Sequence, residues 1–223
     1  MTTVPRQLAL ALDHAESFAR EDFLGGPSNA QALALIEAWP QWPHRSMMLT
    51  GPGGSGKSHL AAIWAQAAGA RLIAARALEA ATVPQALATG ALVVEDVADG
   101  AFDERALFHL VNLAREEAAF LLITARQAPA AFAIRDLASR LKALPVVALA
   151  PPDDALLRAV LVKLFADRQL AVDENLIGYL ATRIERSFAA ARACVARLDA
   201  EAMRQRRPLT RALAAEILRA ASA

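Results

Sequence analysis

The sequence predicts an α/β fold, a parallel sheet with helices on both faces, followed by an all-helical unit. Three observations predict it. Short apolar stretches of strand length alternate with stretches of helical period. A glycine-rich loop joins the first strand to its helix, and beyond Pro151-Pro152 every apolar pattern is helical.

Taken in order, residues 1–20 read as an arm, 21–150 as the α/β unit and 151–223 as the helical unit. In the arm, Gln7-Leu8-Ala9-Leu10-Ala11-Leu12 alternates like an extended segment, with nothing after it to pair. Phe23 to Asn29 is a turn, and Ser28 or Asn29 is placed to cap a helix that runs to about Ala38. Trp39-Pro40-Gln41-Trp42-Pro43 ends that helix. Met47-Met48-Leu49-Thr50 is the first strand, and a helix from Lys57 to about Ala68 follows the glycine loop. Arg71 to Ala74 and Ala91 to Val94 make the second and third strands. Asp103 to Glu117 is helical, with Leu107, Leu110, Val111 and Ala114 on one face. Ala119 to Thr124 and Pro145 to Leu149 are the fourth and fifth strands. Apolar strands separated by helices imply parallel pairing with both faces covered. In the helical unit, Asp153 or Asp154, Asp173 and Ser187 are the caps of successive helices, and a last one starts near Thr210.

Composition narrows the chemistry. There are 24 basic and 23 acidic residues, a net charge of +1 that gives no electrostatic case for wrapping nucleic acid. Cys194 is the single cysteine, so neither an intramolecular disulfide nor a CxxC site can form. The four histidines lack zinc-ligand spacing. No apolar run reaches the roughly 18 residues of a membrane helix, and a cytoplasmic address is expected.

Gly51-Pro52-Gly53-Gly54-Ser55-Gly56-Lys57-Ser58 fits G-x-x-x-x-G-K-[ST] at every fixed position. Glycines let backbone N–H groups turn inward around phosphate oxygens, and the helix that follows adds its positive end. Lys57 offers a point charge to the β/γ-phosphates and Ser58 a hydroxyl to Mg²⁺. A glycine turn with an unrelated lysine is the bland alternative. Glu95-Asp96 ends the third strand, where P-loop enzymes set a metal-ordering acid beside a water-orienting one. Two solvated acids on a strand tip would look the same. Thr124, at the tip of the fourth strand, could touch a terminal phosphate, yet threonine is also an ordinary strand residue. Arg140, in Asp136-Leu137-Ala138-Ser139-Arg140-Leu141, could stabilise phosphoryl charge across a subunit boundary or be a surface helix arginine.

Together these segments resemble the Hda family, DnaA-related AAA+ regulators of bacterial replication initiation. The likeness covers nearly the whole chain and implies a P-loop AAA+ module with a C-terminal helical lid. It implies ADP or ATP with Mg²⁺ as cofactors, the metal held through Ser58, Glu95 and Asp96. Phe23, Gly26, Pro27 and Asn29 resemble the base-binding turn, and Gly51 to His59 the phosphate cradle. Arg140 inherits the part of an arginine finger acting in trans. The arm fits the Q-L-x-L-x-L form of a sliding-clamp-binding peptide, through Gln7, Leu8, Leu10 and Leu12. The implied partners are the polymerase sliding clamp (its β subunit), DnaA, and DNA only through the clamp, with a homo-oligomer left open. Three departures stand out. Glu95 replaces the family's aspartate, which puts rapid hydrolysis in doubt. Ala189 stands where the lid's sensor arginine is expected, with Arg186 and Arg192 beside it, and Arg192 is the residue chosen for nucleotide contact. The chain ends at Ala223, so origin recognition through DnaA's DNA-binding domain is not expected. An autonomous DNA-linked ATPase, such as a helicase loader, and a nucleotide-switched docking module remain the competing expectations.

Overall fold

The computed structural model describes residues 18–42, 44–98, 102–128 and 132–221. These divide into two compact units, Phe18–Asp153 and the residues from Asp154 onward. The clamp-type peptide Gln7 to Leu12 lies outside the described residues.

The first unit runs α1 (Ala30–Glu37), β1 (Ser46–Thr50), α2 (Lys57–Ala68), β2 (Arg71–Ala74), α3 (Val83–Leu87), β3 (Ala91–Glu95), α4 (Glu104–Glu116), β4 (Phe120–Ala125), α5 (Arg135–Lys142) and β5 (Val146–Ala148). The strands form one sheet in the order β2-β3-β4-β1-β5, and every pairing is parallel. All strand C-termini therefore lie along a single edge. The strand alternation sorts side chains to the two faces. Met48, Leu92, Val94, Leu121 and Ile123 join a core with residues of α3, α4 and α5. Their neighbours Met47, Leu49, Val93 and Leu122 turn the other way, toward α1 and α2. Each central strand is thus apolar on both faces, which is why the sequence reads there as short unbroken apolar runs.

The second core is anchored by Trp64 of α2, fully buried and stacked on Trp42 with ring centroids 5.0 Å apart. Truncating so large a side chain leaves a cavity the neighbours cannot close. Trp64→Ala is expected to cost about 3–5 kcal/mol of unfolding free energy, measured by chemical denaturation followed by circular dichroism. A loss under about 1 kcal/mol would contradict this account of the packing.

Asp103 caps α4, its carboxylate accepting from the N–H groups of Arg105 at 2.8 Å and Ala106 at 3.2 Å. The start of α1 corrects the expectation. Asn29 holds the cap position but makes no side-chain bond into the helix. Its amide faces backward, accepting from Gly26 N–H at 2.8 Å and donating to Leu24 carbonyl at 3.0 Å. Ser28 Oγ is buried without a partner among the described residues. The preceding turn, rather than the helix end, takes up the polar side chain.

The second unit comprises α6 (Asp154–Asp167), α7 (Glu174–Ala181), α8 (Phe188–Gln205) and α9 (Arg211–Ala221). Asp173 and Ser187 cap α7 and α8, accepting from Leu176 N–H at 2.8 Å and Ala190 N–H at 3.0 Å. Ala191, Val195, Leu198 and Ala202 of α8 pack against Leu161, Phe165, Leu180 and Leu213. Cys194 is buried within this cluster, and burial pushes its thiol up. No helix among the described residues is long and apolar enough to cross a membrane.

Candidate functional site

The loop between β1 and α2 needs glycine where the backbone turns inward. Gly51 has φ +153°, and a Cβ there would meet the Leu149 carbonyl oxygen at 2.6 Å. Gly56, at the N-cap of α2, is left-handed with φ 100°, a region costly for residues with a side chain. The loop so formed leads directly into the positive end of a twelve-residue helix.

Lys57 is buried, and its Nζ donates to the carbonyls of Gly51 and Pro52, each at 2.8 Å. An ammonium has three N–H donors, so one remains for an anion in the loop. Burial pushes the ammonium below the ordinary lysine range. Asp96 and Glu95 pull it back up, while Arg126 adds to the downward push. Ser58 is exposed on the first turn of α2, and Ser55 Oγ is buried without a partner among the described residues.

The acid pair is ordered by β4. Asp96 adopts φ 58°, a left-handed conformation uncommon outside glycine. It is held there by Thr124, whose hydroxyl accepts from Asp96 N–H at 3.1 Å and whose carbonyl accepts from Val97 N–H at 2.9 Å. Thr124 is itself 1% exposed. Its hydroxyl is therefore engaged in positioning Asp96. Glu95 carries a buried Oε1 with no hydrogen-bond partner among the described residues. An orphaned carboxylate oxygen, an exposed Asp96 and the Ser58 hydroxyl are hard oxygen donors of the kind Mg²⁺ takes. The residues present fit that ion.

The turn from Phe23 to Asn29 comes to the same edge of the sheet. Phe23 is buried, and the His59 ring stands edge-on to it at 5.2 Å and to Phe18 at 5.4 Å. His59 Nε2 lies 3.0 Å from the Ala19 carbonyl oxygen, so this histidine ties the entry segment to α2. Gly26 carbonyl accepts from the N–H groups of Asn29 and Ala30, closing the turn over the exposed Pro27. Ser28 carbonyl accepts from Ala150 N–H at 3.1 Å, which fixes the turn just past β5.

Arg140 lies elsewhere. On α5, half-buried, its guanidinium sits over the Phe108 ring at 5.5 Å. It lines a surface cleft of about 440 Å³ with His44, Arg45, Ser46, Arg115 and Pro145. Ser46 opens β1 and Pro145 immediately precedes β5, so this cleft marks the N-terminal edge of the sheet. The cradle and Arg140 are thus at opposite ends of the strands, on the order of 15 Å of extended chain apart. Among the described residues, none of the three arginines is paired with a carboxylate.

Arg192 is half-buried on α8 of the second unit, and Arg186 there pairs with Asp154 at 2.7 Å. Sequence reasoning passed over Arg126, the first residue after β4, whose carbonyl accepts from Gly51 N–H at 3.1 Å. Its signal was positional: a cation next to the tip of a strand that neighbours both β1 and β3.

No protein-family model matches the chain, and no curated protein does. Solved structures do. Domain III of the Thermotoga maritima replication initiation protein DnaA matches at 18% identity with a TM-score of 0.73, over 91% of this chain and 95% of that one. The Thermotoga maritima RuvB Holliday junction branch migration motor matches at 14% identity and TM-score 0.72, over 92% of this chain and 72% of that one. AMPPCP-bound DnaA from Aquifex aeolicus matches at 16% identity and TM-score 0.64, over 84% and 66%. At such identities the likeness is one of architecture: this chain has a DnaA-like AAA+ fold, a parallel five-stranded sheet flanked by helices.

Proposed function

We propose that the protein is a nucleotide-binding AAA+ regulator of replication that acts on the nucleotide of a partner, with DnaA as that partner. The observation that carries this reading is the division of phosphate chemistry between the two ends of one sheet. A cradle with a buried lysine stands at the C-terminal edge, and an arginine that has no carboxylate partner among the described residues stands at the other. Arg140 cannot reach a phosphate held by its own chain's cradle across the sheet. It can reach one presented by a neighbouring subunit.

In this reading Gly51 to Gly56 hold the phosphates of ADP or ATP through backbone N–H groups, and Lys57 neutralises them. The fold shared with an AMPPCP-bound DnaA supports that ligand class. Ser58, Glu95 and Asp96 would hold Mg²⁺, which supplies charge neutralisation at the phosphates. Phe23 to Asn29 would accept the base. Arg140 would stabilise charge developing on the partner's transferring phosphoryl group. The arm, through Gln7, Leu8, Leu10 and Leu12, would tether the protein to the DNA-loaded sliding clamp. An extended peptide with spaced leucines suits a preformed apolar groove.

The test is hydrolysis of DnaA-bound ATP, with and without clamp on DNA, against steady-state hydrolysis by this protein alone. Stimulation that needs clamp supports the regulator. Fast hydrolysis by the isolated protein supports instead an autonomous ATPase, a reading favoured by the ordered Glu95-Asp96-Thr124 tip. Replacing Gln7, Leu8 and Leu10 together by alanine is expected to abolish clamp pull-down while leaving nucleotide affinity unchanged. Two leucines contribute roughly 3–6 kcal/mol of gross apolar driving force, less the cost of ordering the arm. Normal pull-down by the triple variant would place the contact on another surface.

A further inference from the structure

The near-neutral total hides an uneven distribution of charge. Residues 1–153 hold 12 basic and 15 acidic residues, whereas 154–223 hold 12 basic and 8 acidic, so the helical unit is net positive. Lys163, Arg168, Arg186, Arg204 and Arg207 of this unit each pair with a carboxylate. Arg158, Arg183 and Arg211 are exposed and have no carboxylate partner among the described residues. These three come from different elements and converge on α7, which packs against both α6 and α9. Arg183, just past α7, and Arg211, the first residue of α9, lie over the half-buried Tyr179 ring at 4.0 and 5.3 Å from its centroid. Arg158 of α6 lies along the backbone of the adjacent Gly178, its Nη1 3.4 Å from where a Cβ would stand. Glu174, one turn earlier on α7, is exposed and pairs with none of them among the described residues.

Like charges gathered on one face repel, and an anion laid across them turns the repulsion into attraction. The ring fixes how the charges are displayed. A guanidinium that rests its face on an aromatic ring keeps its N–H donors, which lie in its own plane, for other partners. Arg183 spends one nitrogen on the Thr182 hydroxyl at 3.0 Å and the Tyr179 carbonyl at 3.4 Å. Its remaining donors point to a fork of the kind that meets phosphate oxygens two at a time. A single nucleic-acid strand is held by stacking bases on free aromatic faces, but this ring is already engaged by arginines. A membrane surface would call for bulky apolar side chains among the charges, yet Tyr179 is half-buried and Val162, a turn after Arg158, is small. The charge pattern suits the backbone of a duplex.

We propose that Arg158, Arg183 and Arg211 bind the phosphate backbone of duplex DNA directly, without regard to base sequence. Three phosphate contacts are weak for a free protein. On a chain tethered to DNA they act at an effective concentration in the millimolar range, where a weak contact is enough. That use of the contact rests on the clamp-tethered reading; the contact itself does not, and it is measurable with no clamp present.

The test is fluorescence anisotropy of the full chain on a labelled duplex of about 20 base pairs, without clamp, over a range of salt. Wild type is expected to bind with a dissociation constant on the order of 10–100 µM at about 20 mM salt, and log K should fall against log salt with a slope of about −2.7. Arg183→Gln is expected to weaken binding at least about 10-fold at low salt and to make the slope shallower by about 1. The triple variant Arg158→Gln, Arg183→Gln, Arg211→Gln should show no measurable binding. Arg204→Gln removes the same formal charge from an arginine paired with Glu201, and is expected to weaken binding less than about 3-fold. Thermal melts check folding, and the single variants carry the test if the triple variant melts early. Absence of binding by wild type at low salt, equal losses in Arg183→Gln and Arg204→Gln, or undiminished binding by a folded triple variant would each overturn the proposal. So would tighter binding of a single strand of the same length, or capture of wild type by phosphatidylserine vesicles with no binding of duplex. Because no clamp is present, failure here leaves the clamp-tethered reading standing, and failure of that reading leaves a positive result here intact.

Discussion

Lys57→Ala is expected to remove measurable nucleotide binding, a loss of at least about 100-fold in affinity, while the chain still folds. The two halves of this expectation have different physical origins. Binding depends on an ammonium held inside the loop by the Gly51 and Pro52 carbonyls, with one donor left over for phosphate. Folding depends on the strands, whose buried residues Leu49, Leu92, Val93, Leu122 and Ile123 are fully enclosed and make no use of that charge. Burial already disfavours the charged lysine in the absence of an anion, so its removal relieves a cost as well as breaking two hydrogen bonds. Melting curves decide the matter. With ADP at one hundred times its dissociation constant, wild type gains about 2.7 kcal/mol by mass action and melts correspondingly higher. The variant's melting temperature should not move with ADP, and without ligand it should lie within a few degrees of wild type. A ligand-dependent shift of normal size in Lys57→Ala would remove the lysine from the site.

The parts of this molecule that the sequence made legible are those set by local pattern. All five strands stand within a residue or two of their expected places, because each is a short apolar run bounded by a turn. The loop at Gly51 to Ser58 was legible for the same reason: backbone geometry there demands glycine at fixed spacing. Other parts depend on what meets what across the fold. The five-residue helix Val83–Leu87 was passed over, although Pro84 in its first turn is a helix-start signal. Asn29 carried the chemistry of a helix cap, yet its amide serves the Gly26 turn, since both uses satisfy it and only tertiary contacts choose. Thr124 was legible as a residue at a strand tip. That its hydroxyl holds Asp96 in a left-handed conformation needs the β3–β4 pairing, which brings together residues 28 apart in the chain. The stacking of Arg140 on Phe108 depends in the same way on α5 lying against α4. The separation of Arg140 from Lys57 follows from strand direction, and parallel pairing was the expectation. It becomes an argument about function only once the Arg140 cleft is seen at the opposite strand ends.

That separation is the basis of the second large effect. Arg140→Ala is expected to retain nucleotide and clamp binding and to lose stimulation of DnaA-bound ATP hydrolysis by a factor of about 10³–10⁵, the range seen when a trans-acting arginine is missing in GTPases. The side chain is well placed to be functional without being structural. It is half-buried, it touches one aromatic ring, and among the described residues no carboxylate depends on it. Removing it forfeits one cation–π contact, worth about 0.5–1 kcal/mol at an exposed site, so the melting temperature should fall by only a few degrees. Arg140→Lys keeps the charge but loses the planar fork that meets two phosphate oxygens at once, and should recover little of the stimulation. Arg45 and Arg115 line the same cleft and provide the internal comparison. If the cleft acts only through its general positive charge, Arg115→Ala should reduce stimulation as much as Arg140→Ala, and raising the salt should abolish the difference between variants and wild type. If Arg140 is the group that meets the phosphoryl, its loss should dominate at every ionic strength at which the complex still forms. A folded Arg140→Ala protein with undiminished, clamp-dependent stimulation would remove the arginine from the mechanism and leave the cleft as a surface without an assigned partner.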